Sequence, residues 1–226
     1  MRIAVLGTGT VGRTVAAKLA ELGHEVKVGT REPQTTLARQ GPDAFGNPPF
    51  AEWLQAHPTV ALATLAEAAG DAELVVNATS GAGSIAALEA AGEENLAGKV
   101  LLDISNPLDA SAGMPPSLSV CNIDSLGEQI QRRFPDTRVV KALNTMNAHL
   151  MVNPRQLADG DHTSFVSGDD AEAKKTVTEL LAAFGHRDVV DLGDISTARG
   201  SEMYLPLWLR LWNSLGTAAF NVKIVR

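Results

Sequence analysis

Gly7-Thr8-Gly9-Thr10-Val11-Gly12 is the stretch of this 226-residue chain whose residue types and spacing point most directly to a chemistry. The first glycine permits a tight turn, the second lets bare backbone approach a diphosphate, and the third lets a helix pack closely on a strand. A helix opening at this point aims unpaired N–H groups at an anion. Thr8, Thr10 and Val11 therefore count with Gly7, Gly9 and Gly12 as candidate contacts for a dinucleotide; a merely structural turn is the alternative reading.

About twenty residues further on, dinucleotide sites commonly place an Asp or Glu on the adenosine ribose. This chain has Gly29-Thr30-Arg31 there. A hydroxyl and a guanidinium suit the dianionic 2′-phosphate of NADP, because arginine offers fixed charge and several donors. Against this stand Glu32, which follows at once, and the plain reading of Arg31 as a solvated turn residue. A third candidate loop, Asn77-Ala78-Thr79-Ser80 running on to Gly83, is small and hydroxyl-rich, as suits the nicotinamide half of a cofactor; an ordinary turn capped by Ser84 or Thr79 explains it equally well. The fourth, Lys141 to His149, holds Asn144, Thr145 and Met146, a mixture fit to flank a planar ring and here taken as a candidate substrate site.

No residue is assigned a catalytic role. His149 has no visible carboxylate partner. Tyr204 is the only tyrosine and position 208 is Trp, so a Tyr and Lys pair four residues apart is missing, as are a Gly-x-Ser-x-Gly elbow and a Gly-Lys-Ser/Thr loop. A lone Cys121 and five scattered histidines give no metal-ligand spacing. What remains is a nucleotide holder without an acid–base machine.

Alternating β-rich runs and helical patterns must position these loops. The runs predict strands at Arg2 to Leu6, Glu25 to Gly29, Val60 to Ala63, Glu73 to Ala78, Lys99 to Ile104 and Arg138 to Ala142, with a helix over Val11, Val15, Leu19 and Leu22 that Gly23 ends. Such alternation predicts an α/β fold, a doubly wound parallel sheet with ligand loops at the carboxyl ends of its strands. Gly41 to Pro58 reads as an irregular excursion with a short helix, and Asn106 to Pro116 as a proline-rich loop. Beyond about Asn153 come a strand (Ser164 to Ser167), a helix (Asp169 to Phe184), a strand (Asp188 to Leu192) and a final helix from about Thr197. Residues 1–152 are thus expected to bind the nucleotide, and 153–226 to form a small α+β domain that completes the cleft. On the last helix, Met203, Leu207, Leu211 and Leu215 form one apolar stripe and Trp208 and Trp212 another; core packing is the expectation for each, with the ligand cleft and a twofold partner on its two sides.

Nineteen Lys and Arg against twenty-six Asp and Glu give a net charge of −7, and no basic block is present, which excludes nucleic acid and anionic membrane surfaces as partners. The longest apolar stretch, Met203 to Leu215, is interrupted by polar residues and too short to span lipid. A soluble, cytoplasmic protein is expected.

The chain resembles the F420-dependent NADP oxidoreductase family, itself similar to the cytosolic reductase domain of certain membrane metalloreductases. The likeness runs through Gly7 to Gly12, Gly29-Thr30-Arg31, Ala142 to Thr145, Val166-Ser167-Gly168-Asp169-Asp170 and Asp191-Leu192-Gly193. It implies a Rossmann domain and hydride transfer between NADP(H) and the deazaflavin coenzyme F420, stacked ring on ring in a cleft between the two domains. Two hydride carriers held face to face need positioning more than proton relays. Departures from the family pattern are Asn144 where a His is usual, Asn147 where a Pro is usual, and Glu32-Pro33 where basic residues commonly follow the arginine. The rival readings are an NADPH-dependent reductase of a flavin, quinone or metal chelate, and a non-catalytic NADP(H)-sensing module; a homodimer with a small-molecule hydride donor or acceptor is the expected working form.

Overall fold

The computed structural model describes residues 1–43 and 46–226; Ala44 and Phe45, inside the expected excursion, lie outside the described residues. In chain order the first half runs β1 (Arg2–Leu6), α1 (Thr10–Glu21), β2 (Glu25–Thr30), α2 (Pro33–Ala38), α3 (Phe50–Ala56), β3 (Val60–Thr64), α4 (Leu65–Asp71), β4 (Leu74–Asn77), α5 (Ser84–Ala91), α6 (Glu93–Leu96) and β5 (Val100–Asp103). The second half runs β6 (Leu108–Asp109), β7 (Ser117–Leu118), α7 (Leu126–Arg133), β8 (Arg138–Ala142), α8 (Ala148–Val152), β9 (Thr163–Ser167), α9 (Ala171–Phe184), β10 (Asp188–Asp191), α10 (Ala198–Met203) and α11 (Leu205–Leu215).

Among the described residues, eight strands form one sheet in the order β10-β9-β8-β5-β4-β1-β2-β3. All neighbours are parallel except β8 and β9, which pair antiparallel at Lys141 with Ser167 and Ala142 with Val166. The six strands from β3 to β8 have the doubly wound order of a Rossmann sheet, with the direction of winding reversing beside β1. Strands covered on both faces need apolar residues in succession, not in alternation. β1 supplies Ile3-Ala4-Val5-Leu6 and β4 Leu74-Val75-Val76, all buried.

Alternate residues of those runs feed two cores. Ile3, Val5, Val28, Val76, Leu102 and Val140 pack under α1, α8 and α9, while Ala4, Leu6, Val75, Leu101 and Val139 pack under α4, α5 and α7. The strands after residue 152 extend the same sheet past β8, and α10 returns across the second core through Ala198.

Two expectations need correction. The proline-rich loop contains a short antiparallel ribbon, β6 with β7, in which Leu108 faces Leu118; two-residue strands are too short to show alternation in sequence. The final helix is divided at Tyr204 into α10 and α11. Pro206 sits in the first turn of α11, where its missing N–H is tolerated, but in mid-helix it would have removed a bond.

Candidate active site

Four loops leave the carboxyl ends of β1, β4, β5 and β8 and meet around a cavity of about 940 Å³. The first carries the glycines. Gly7 has φ +124°, and a Cβ there would stand 2.6 Å from the Ala78 carbonyl oxygen; a Cβ on Gly12 would stand 2.1 Å from the Gly7 carbonyl oxygen. These two glycines let the loops of β1 and β4 close onto one another. Gly9 is different, with open space where its side chain would be. It begins α1 with no side-chain cap and no acidic residue in the first turn, so the amide groups of Thr10, Val11 and Gly12 have no helical acceptor and are available to an anion, with Gly9, Thr10 and Val11 lining the cavity. Backbone this bare over an uncapped twelve-residue helix fits a pyrophosphate.

Arg13 secures that loop from below. It is buried, and its guanidinium donates to the Thr8 carbonyl at 2.8 Å and to the Pro48 carbonyl at 2.5 Å while lying 5.2 Å from the centre of the Phe50 ring. Burial lowers its pKa from the ordinary value, and Asp43 partly offsets this. Asn47 comes over the top, donating from Nδ2 to the Thr10 hydroxyl at 2.6 Å. Arg13 and Asn47 were not singled out from sequence. Arg13 carried a detectable signal, a cation one residue past the glycine loop; Asn47 sits in an irregular segment and carried none.

Thr30 ends β2, and Arg31 follows it. The Thr30 hydroxyl shares a 3.0 Å hydrogen bond with buried Thr36, and Arg31 is exposed. Arg39, a further residue missed in sequence, borders a neighbouring space of about 400 Å³ together with Thr8, Gly9 and Thr36.

The β4 loop divides its labour. Ala78, Thr79 and Ser80 line the large cavity, whereas Asn77 is fully buried behind them. Its amide donates to Ser84 at 2.6 Å and Asp103 at 2.8 Å, and its carbonyl oxygen accepts from the Thr79 hydroxyl at 2.6 Å. Asn77 therefore orients the loop, and Thr79 and Ser80 face the space. From β5 come Ser105 and Asn106; Asn106 exchanges hydrogen bonds with Asn144 after β8, at 2.9 and 3.0 Å. Asn144 and Met146 line the cavity, while Thr145 is buried beside them. His149 is exposed at the rim, its backbone N–H taken by the Asn147 side chain.

The far wall comes from α11 and the residues after it: Leu205, Trp208, Trp212, Ala218 and Ala219. Trp208 stacks on Phe220 with ring centres 5.3 Å apart, and Asn147 donates to the Ala218 carbonyl. The expectation of core packing along this helix is corrected here. Leu205 and Leu209 are buried, but Leu207 is 56% exposed and Leu215 55%. The Trp208 and Trp212 stripe lines the cavity, while Met203, Leu207 and Leu215 of the other stripe are exposed and Leu211 is half-buried. No helix among the described residues is long and apolar enough to cross a membrane.

The sequence and the fold find counterparts among known proteins. Residues 2–107 match the family model described as NADP oxidoreductase, coenzyme F420-dependent. The F420-dependent NADP reductase of Methanothermobacter marburgensis is 31% identical over 218 residues, covering 93% of this chain and 92% of that one. A crystal structure from Arthrobacter sp. FB24, described as a candidate F420-dependent NADP reductase, is 65% identical and superposes with a TM-score of 0.96 over the whole of both chains. Rat Metalloreductase STEAP3 is 29% identical over 212 residues, but the chain spans only 38% of its length. Likeness over nearly the full length of both the Methanothermobacter reductase and the Arthrobacter structure places this chain in the F420-dependent NADP oxidoreductase family, and makes it an NADP-dependent oxidoreductase.

Proposed function

We propose that the protein transfers hydride between NADP(H) and the deazaflavin coenzyme F420. The observation that carries the reading is the cavity itself, which runs from the open Gly9 backbone past Thr79 and Ser80 to a wall of Met146, Trp208 and Trp212. In this reading residues 1–152 bind the dinucleotide and 153–226 complete the cleft. The α1 amides with Gly9 and Thr10 hold the pyrophosphate, Thr30 and Arg31 take the 2′-phosphate, and Thr79 and Ser80 bind beside the nicotinamide. The nicotinamide, when bound, supplies or receives the hydride. Asn144 and Met146 then flank the second ring, and the apolar wall keeps water from it. No proton relay is called for, which suits a site where positioning supplies much of the rate. A homodimer across the exposed leucines of α11 belongs to the same reading and is testable by sedimentation equilibrium.

Mixing the purified protein with NADPH and oxidised F420 tests the acceptor: the deazaflavin absorbance should bleach, and its persistence at high enzyme concentration would remove F420. The Arg31→Ala variant tests the cofactor half independently. It should weaken NADPH by about ten- to a hundredfold, as expected for losing charged hydrogen bonds worth roughly 1.5–3 kcal/mol, and leave NADH nearly unchanged. Equal losses for both nucleotides in calorimetry would mean that Arg31 does not read the 2′-phosphate.

A further inference from the structure

Three neighbouring strands end in a row of polar side chains that this reading leaves unused. In register, Asn77 of β4 lies opposite Asp103 of β5, and Asp103 opposite Lys141 of β8. The residues two positions earlier, Val75, Leu101 and Val139, belong to the apolar core. The row therefore caps that core where the strands give way to the cavity loops. Lys141 has no exposed side-chain surface. Its ammonium is hydrogen-bonded to Asp103 Oδ2 at 2.7 Å and to the Ser105 carbonyl at 2.6 Å, and paired with Glu202 Oε1 at 2.8 Å. That accounts for all three of its protons.

Each partner leads to a different wall. Asp103 Oδ1 accepts from the Ser105 backbone N–H at 3.1 Å and from the Ser105 hydroxyl at 2.6 Å, and through Asn77 it reaches Thr79. Ser105 and Thr79 both line the cavity. Glu202 lies on α10, immediately before the helix that carries Leu205, Trp208 and Trp212. Its carboxylate also accepts from Leu126 N at 2.8 Å and Gly127 N at 3.0 Å, at the start of α7. Those amides offset the negative charge left over when two carboxylates share one ammonium.

A buried ion cluster is weak evidence for stability, because apolar side chains of the same volume often serve as well; its best-attested use is to fix one packing arrangement against its competitors. We propose that Lys141 is a positioning residue for the hydride acceptor. By gripping the Ser105 loop and Glu202 together, it sets the separation between the nicotinamide-facing loops and the tryptophan wall, and with it the width of the slot a flat acceptor must enter. The inference deepens the proposed reaction and rests on it for the acceptor alone.

Glu202→Gln is the leading test. The amide keeps the size of the side chain but turns an N–H₂ group toward the donors at Leu126 and Gly127 or toward Lys141. With fold and melting temperature checked by circular dichroism, three quantities are read: NADPH affinity by calorimetry, hydrogen exchange of backbone amides over residues 198–215, and steady-state kinetics with NADPH and oxidised F420. We expect NADPH affinity to hold within about twofold, exchange over 198–215 to quicken, and KM for the acceptor to rise about tenfold or more with a smaller change in kcat, as a wall displaced by a fraction of an ångström predicts. Lys141→Met should act in the same direction and more strongly; if it fails to fold, Glu202→Gln alone decides. Unchanged exchange over 198–215, or a parallel fall in NADPH affinity, would overturn the proposal. Absence of F420 turnover in the unaltered protein would count against the acceptor assignment, and the exchange and calorimetry would still judge Lys141.

Discussion

The two sides of the cavity are built on different principles. The nucleotide side is backbone: Gly7 and Gly12 allow contacts that any side chain would block, and Gly9 leaves the first turn of α1 bare. The tryptophan side, where the acceptor is proposed to lie, is side chains held by other side chains, with Trp208 on Phe220 and Glu202 on Lys141. Backbone geometry is dictated within a few residues and tolerates almost no substitution. A side-chain wall is assembled from distant parts of the chain and shifts with each of them.

Gly12→Ala should break the nucleotide side most severely. The added methyl would meet the Gly7 carbonyl oxygen at 2.1 Å, a fixed backbone atom that cannot rotate away. The loop must move, at a cost of about 1–3 kcal/mol in stability, as for overpacking elsewhere. NADPH affinity should fall about a hundredfold, the equivalent of roughly 3 kcal/mol. Calorimetry and thermal melting read both effects. An affinity within threefold of the unaltered protein would show that the cradle is softer than its contacts imply.

Acid should loosen the contact between β9 and α8. Burial pushes the His186 imidazole down to about 4; its bond to the Met151 carbonyl works against that shift and neighbouring His162 adds to it. The neutral ring sits between the Ser164 hydroxyl at 2.7 Å and the Met151 carbonyl at 2.9 Å, joining β9 to α8 beneath the cavity. In the unfolded chain the same group titrates near 6.5, so between those values the unfolded state binds the extra proton. The His186 contribution is complete above pH 6.5 and is lost as pH falls toward 4, by about 3 kcal/mol in all. Urea midpoints measured across that window should fall accordingly, and more shallowly in His186→Gln. A flat profile between pH 6.5 and 4.5 would mean that the site opens to water.

The same division governs what could be read in the sequence. β1 has the expected limits, Arg2–Leu6, because a parallel strand buried on both faces writes itself as an apolar run, here Ile3 to Leu6; β8 also has the expected limits, Arg138–Ala142, although only Val139 and Val140 form its apolar centre. The glycine loop was equally legible, its meaning being carried by six consecutive residues. On α11 two apolar stripes and a cleft-facing side could be read, but not which stripe takes which side: Leu207 and Leu215 face solvent, and the tryptophans face the cavity. Periodicity states that a helix has a face, and only the packing of β5, β8 and α10 states what that face meets. Lys141 is the extreme case. A lysine at a strand end reads as a solvated cation until Asp103 and Glu202, far away in sequence, are placed against it.

The smallest effect comes where structure is most local. Thr64 caps α4 in a reciprocal box: its side chain accepts from the Glu67 backbone N–H at 3.2 Å, and the Glu67 carboxylate accepts from Thr64 N at 3.0 Å and from its hydroxyl at 2.8 Å. Those hydrogen bonds hold the Glu67 carboxyl below its ordinary pKa. Thr64→Ala should cost about 1 kcal/mol, the usual loss for an N-cap. It should leave NADPH affinity and acceptor KM unchanged, because α4 packs on the sheet face away from α1 and lines neither wall. A change in either constant would mean that the backbone side of the cavity depends on distant packing as well, and the contrast between the two walls would then be one of degree.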